Sequence, residues 1–146
     1  MEVISQSSQT QLMMVGLEPG EMLLESLQKV IESHGVKNGV VVSGIGTLKT
    51  CRMHYILHTR FPPEDEIMTL VKPLELVSVN GLIANGEPHL HITVSCGKDE
   101  VYAGHLEPGS EVLYLAEIAM LVFDEPRMIR RVDQERKVKL LKRFEP

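Results

Sequence analysis

Three of the six histidines in this chain fall where an imidazole cluster could form. His89 and His91 lie two apart in Pro88-His89-Leu90-His91-Ile92-Thr93-Val94-Ser95, and His105 follows in Val101-Tyr102-Ala103-Gly104-His105-Leu106. A strand alternates its side chains between faces, so Leu90, Ile92 and Val94 share one face while His89, His91, Thr93 and Ser95 share the other. Cys96-Gly97-Lys98-Asp99-Glu100 reads as the loop of a hairpin. Paired residue numbers in a regular antiparallel hairpin have a constant sum, so pairing Ser95 with Val101 sets His91 opposite His105. The same register puts Tyr102 and Leu106 on the apolar face, a separation that a one-residue slip would destroy. Directly opposed residues have Cβ atoms ~4.5–5.5 Å apart. Three imidazoles at that spacing can reach one ion at ~2.0–2.1 Å. Neutral nitrogens with an open coordination position favour zinc, though iron, nickel and copper also suit imidazole. Histidines occur on solvated strand faces without any ligand; what favours a site is their convergence in the register that the apolar pattern demands.

Two acids are further candidates, as a fourth ligand or as an acid or base. Glu107 falls opposite His89 in the same register, and Glu117 interrupts the apolar run Leu115-Ala116-Glu117-Ile118, where a buried carboxylate needs a partner. Water or a neighbouring subunit would complete the shell equally well. The remaining signals are plain. Gly44-x-Gly46 has no third glycine and no phosphate-gripping lysine, and reads as a tight turn. Ser43 lacks the preceding glycine of a nucleophile elbow. His54 and His58 share a strand face and read as ordinary surface histidines, and the spacing of Cys96 fits no standard zinc pattern.

The elements that must position these residues are legible in outline. Residues 1–11 are polar and read as a loose tail. Glu18-Pro19-Gly20 is a turn, and Leu23, Leu24, Leu27, Val30 and Ile31 fall at helical spacing before Gly35, a left-handed C-terminal stop. Gly39 to Val42 reads as a short buried strand, turned by Gly44-x-Gly46 into a second segment, Leu48 to His58. Ile67 to Val71 and Leu74 to Ile83 read as separate strands, with Asn80-Gly81 and Asn85-Gly86 as breaks or bulges. Val112 to Phe123 gives one or two strands, or a strand and a short helix. Arg127 to Pro146 is a charged segment with interspersed apolar residues, expected to be a terminal strand or helix docked on the domain.

The 146 residues suffice for one hydrophobic core, and 43% hydrophobic with 24% charged residues is a globular composition. No apolar run approaches the ~18–20 residues that span a bilayer. No basic stretch followed by an apolar one resembles a signal peptide, and the two cysteines build no disulfide framework, so the cytoplasm is the expected compartment. The net charge of −5 is uneven: eight Lys or Arg face three Asp or Glu from Arg127 onward, leaving seven basic and seventeen acidic residues before it. An acidic body with three Tyr, three Phe and no Trp is a poor partner for phosphate and bases. Only the tail has the charge for nucleic acid.

Five ordered blocks carry a family resemblance. They are Gly16-Leu17-Glu18-Pro19-Gly20-Glu21-Met22-Leu23-Leu24, Val42-Ser43-Gly44-Ile45-Gly46-Thr47-Leu48, the His89–His91 strand, Ala103-Gly104-His105-Leu106 and Ala116-Glu117-Ile118. Together, over roughly Met14 to Glu117, they resemble the plants-and-prokaryotes conserved (PPC) domain, which plant nuclear proteins join to AT-hooks. The resemblance implies an α+β fold: a single domain over 12–126 with a large, mainly antiparallel sheet, one or two packed helices and a homotrimeric assembly. It also carries the three-histidine metal site over to His89, His91 and His105. The DNA-binding association of the family derives largely from the AT-hook, and this chain has no Arg-Gly-Arg-Pro core, so that part does not transfer. The histidine pattern is also similar to the zinc site of acetolactate decarboxylase, whose other catalytic groups find no match here. Three functions follow as expectations: a metal-stabilised domain that binds a small molecule or a protein partner, a metal-dependent lyase or hydrolase, and a DNA-associated protein working through its basic tail.

Overall fold

The computed structural model describes residues 1–5 and 9–144. Its elements are β1 (Gln11–Leu17), α1 (Leu23–Ser33), β2 (Asn38–Ile56), β3 (Asp65–Ala84), β4 (Glu87–Cys96), β5 (Glu100–Leu106), β6 (Glu111–Phe123), β7 (Met128–Val132) and β8 (Lys139–Arg143). The first six strands form one sheet in the order β1-β6-β2-β3-β4-β5, and β5 also returns to pair with β2. Every pairing among the described residues is antiparallel. The fold is therefore α+β with a large antiparallel sheet, as the family resemblance implies, with one helix among the described residues. No helix among the described residues is long and apolar enough to cross a membrane.

The helix forms where the apolar spacing places it. Leu23, Leu24, Leu27 and Ile31 are buried against the sheet, and Gly35 takes the left-handed conformation (φ 63°) that ends the helix. The core lies between this stripe and the inward residues of β2, β3, β4 and β6, among them Leu48, Met53, Val79, Ile83, Leu90, Ile92, Ile118 and Met120.

Two strands are longer than their sequence pattern suggests. Gly44-x-Gly46 is not a turn but the middle of β2, which runs unbroken between β3 and β6 with bulges on the β6 side. The glycines serve close packing instead. A Cβ on Gly44 would lie 2.6 Å from the Cβ of Val79, and one on Gly46 would lie 2.3 Å from the Leu115 carbonyl oxygen. Likewise Ile67–Val71 and Leu74–Ile83 are one strand, β3. Pro73 falls where Leu48↔Leu74 gives way to Thr50↔Val71, a bulge that spares the ladder a missing donor. Asn85 and Gly86, both at positive φ, make the two-residue turn joining β3 to β4. Val112–Phe123 lies within the single strand β6.

At the ends, the expectation of a loose tail over residues 1–11 falls partly on 6–8, outside the described residues, and Gln11 opens β1. The basic segment forms the hairpin β7–β8, with residues 145–146 again outside the described set. Met128 is buried and donates its N–H to Asn38 Oδ1 at 2.8 Å, and Lys139 is ion-paired with Glu87 at the start of β4.

Candidate metal centre

The β4–β5 hairpin has the register that the sum of residue numbers requires: Ser95 pairs with Val101 and His91 with His105. The ladder runs one pair further, to Cys96↔Glu100, so the loop is only Gly97-Lys98-Asp99. Leu90, Ile92, Val94 and Leu106 are buried, which turns His89, His91 and His105 to the opposite face. Their ring centroids are 5.5 Å (His89–His91), 5.0 Å (His89–His105) and 5.4 Å (His91–His105) apart. One nitrogen from each lies within 4.8 Å of the others. Tetrahedral zinc with bonds of ~2.0–2.1 Å wants nitrogens about 3.4 Å apart, a difference that modest ring rotations close. The donor set therefore fits a transition metal.

Burial favours the ligating form of two of these rings, His89 and His105. Burial, with the charges of Arg130, His105 and His91 behind it, pushes His89 down to about 4 from its ordinary 6.5. Burial and then the neighbouring charges of His54 and His91 also lower His105. A ring that resists protonation keeps a lone pair for a metal. His91 is exposed, so the patch is open to solvent on one side.

The residues around the triad differ from the sequence expectation in three respects. Glu107 does not face His89. Beyond His105 the β5 strand leaves β4 and pairs with β2, so the Glu107 N–H donates to the Arg52 carbonyl at 3.0 Å and its carboxylate turns to His54. Glu117 is not a buried acid: it is exposed on β6 between Gly16 and Ile45 and belongs to neither histidine group. His54, read as a surface residue, stacks on His105 with centroids 4.4 Å apart and planes 20° from parallel. Its Nδ1 is 2.6 Å from Glu107 Oε1, and its Nε2 is 3.8 Å from Asp65 Oδ2. His54, His105 and Glu107 thus form a second group whose ligand atoms lie within 4.8 Å of one another. The signal missed was the pairing His54↔His105 across 51 residues of chain, which no local pattern announces. His58 stays apart, 3.5 Å from Glu64.

An antiparallel sheet whose last strand β5 returns to β2, backed by one helix and with imidazoles gathered on β4, β5 and β2, defines the class of protein. The family follows directly: residues 4–124 match the Plants and Prokaryotes Conserved (PCC) domain, and the chain belongs to that family. The fold is shared along nearly its full length with a metal-containing protein from Archaeoglobus fulgidus (TM-score 0.85, 23% identity, 99% of this chain and 100% of that one). It is also shared with a plant- and prokaryote-conserved protein from Pyrococcus horikoshii (TM-score 0.74, 26% identity, 95% and 94%). A third similar structure is a candidate DNA-binding protein from Bacteroides thetaiotaomicron (TM-score 0.77, 18% identity, 96% of each chain). Among curated sequences, the bifunctional protein GlmU of two Synechococcus strains is 27% identical over 117 residues, 80% of this chain. The match spans only 18% of the length of those relatives.

Proposed function

We infer that this chain is a metal-binding protein that holds a divalent transition ion, zinc first, on His89, His91 and His105. It presents the open coordination position to a small molecule or a protein partner. The observation that carries this reading is the convergence of three imidazoles, each offering a nitrogen within 4.8 Å of the others. A metal-containing protein of the same fold supports it. Bound there, the ion would act as a Lewis acid or activate water. The chain's own part is to fix the three rings by the β4–β5 register and to leave His91 facing solvent.

Assembly as a homotrimer, which the family resemblance implies, is supported by the outer face of β1, β6 and β2. There Leu12, Met14, Ile45, Leu115 and Leu121 are exposed on one side of the sheet, an apolar patch of the kind that marks contact between chains. The cytoplasm is the compartment we infer from a chain whose two cysteines build no disulfide framework.

A second reading, a metal-dependent lyase or hydrolase, is favoured by one observation. The hydrogen-bonded pair His54–Glu107 stands beside the triad, where an acid or base would be needed. DNA association is a third reading; it would have to use the basic hairpin β7–β8, since the body is acidic.

The test is metal retention. Tag-free protein, stripped and reloaded with one equivalent of zinc and washed with a weak chelator, should keep about one ion per chain by elemental analysis, as three protein ligands to zinc allow. His91→Ala should lose it and His34→Ala, at the far end of α1, should not. Retention by His91→Ala would sink the three-histidine reading.

A further inference from the structure

His105 belongs to two groups of ligand atoms at once, one with His89 and His91 and one with His54 and Glu107. We propose that the centre has two cation positions, the second held by His54, His105 and Glu107 and taking a divalent first-row transition ion. This extends the three-histidine reading and rests on it.

The β5 strand lies between β4 and β2, so the ring of His105 has His89 and His91 on one flank and His54 on the other. An imidazole carries two nitrogens on different edges, and each can serve a different ion. Two imidazoles with one carboxylate make a mixed nitrogen and oxygen set, one known to suit ions such as iron(II) with positions left open. His54 and Glu107 are about equally shielded, with side chains 23% and 24% exposed, so the position is neither sealed nor flat surface. Asp65, 3.8 Å from the other nitrogen of His54, adds negative charge on the far side and favours a cation.

Filling this position has a cost that the first lacks. His54 and Glu107 are already hydrogen-bonded at 2.6 Å and must exchange that bond for the ion. His54 must change tautomer and turn out of its stack on His105, because imidazole lone pairs lie in the ring plane and rings 20° from parallel do not converge on one ion. His105, ligating through both nitrogens, gives up its ring proton to solvent. The second ion is therefore the weaker one, filling only at excess metal and removed by the chelator that leaves the first.

Equilibrium dialysis against excess zinc, followed by elemental analysis, tests this directly. Wild type should saturate at about two ions per chain, as a paired-metal centre does. Glu107→Gln and His54→Gln should each saturate at one while keeping the tightly held ion. His58→Ala, which removes a neighbouring histidine outside the group, should stay at two. Circular dichroism of each variant shows that the fold is intact, and the two independent substitutions guard against one that fails to fold. Wild-type saturation at one ion, or undiminished uptake by Glu107→Gln and His54→Gln, would overturn the second position and leave the first standing. Wild-type protein that takes up no zinc at all would overturn both.

Discussion

Gly104 is the residue on which the joining of the two histidine groups depends, and Gly104→Ala is the sharpest perturbation of it. Gly104 pairs with Ile92 in β4 and precedes His105, at the point where β5 meets β2. A Cβ at this position would lie 2.6 Å from the His54 carbonyl oxygen, 3.2 Å from Met53 Sδ and 3.3 Å from Met53 Cγ. The methionine can swing aside, but the carbonyl is backbone and cannot. Ordinary contact begins at 3.4 Å, so β2 and β5 must part by about 0.8 Å in a close-packed interior. The β2–β5 contact consists of His54↔His105 and Met53↔Leu106, and both pairs would be strained. Overpacking of this kind costs about 1–3 kcal/mol, and weakening the ladder bonds puts the expectation toward the upper half of that range. For a domain of this size about 2–3 kcal/mol lowers Tm by roughly 5–10 °C. Thermal unfolding of metal-free protein reads the shift. Zinc binding separates its local consequence: the triad, whose two strands belong to the same hairpin, should keep its tight ion while the weaker uptake at excess zinc is lost. A variant that melts within about 1 °C of the parent and keeps full zinc uptake would show that the close approach at Gly104 does not hold the two groups together.

Two further outcomes follow from named contacts. Asn38, fully buried, donates to the Asp124 and Phe123 carbonyls at 2.9 and 3.3 Å and accepts from the Met128 N–H at 2.8 Å. Asn38→Ala leaves those groups unsatisfied at a cost of about 1–3 kcal/mol; the urea midpoint should fall and trypsin should cut faster at Arg127, and an unchanged digest would contradict the clamp. In metal-free protein, His89 resists protonation down to about 4 while the unfolded chain takes up its proton near 6.5. Its contribution is thus fully present above the unfolded value and lost as the pH falls through about 4. Because the ring is only partly buried, we expect about 1–2 kcal/mol less stability at the acid end of that window. His89→Gln should flatten the fall in urea midpoint between pH 7.5 and 4.5, and an equal fall in both proteins would remove His89 from the account.

What the sequence determined by itself is local. The alternation of Leu90, Ile92 and Val94 with the histidines, together with a short loop, permits one hairpin register, and that register alone brings His91 opposite His105. The apolar spacing of α1 and the glycine that stops it are read in the same way, since each depends on residues a few positions apart. The family blocks added the fold. Tertiary structure decided the rest. Gly44 and Gly46 look like a turn because glycine serves both turns and close approach, and only the presence of β3 and β6 on either side of β2 selects the second use. Glu117 looks like a buried acid because its neighbours are apolar, yet those neighbours divide between a core face and an exposed one. His54 and Glu107 meet because the sheet curls until β5 touches β2, a closure fixed by the packing of the whole core. Hairpin register is set by short-range sterics and a two-residue period. The meeting of strands far apart in sequence is set by how the entire sheet buries its apolar face, and no local pattern encodes it.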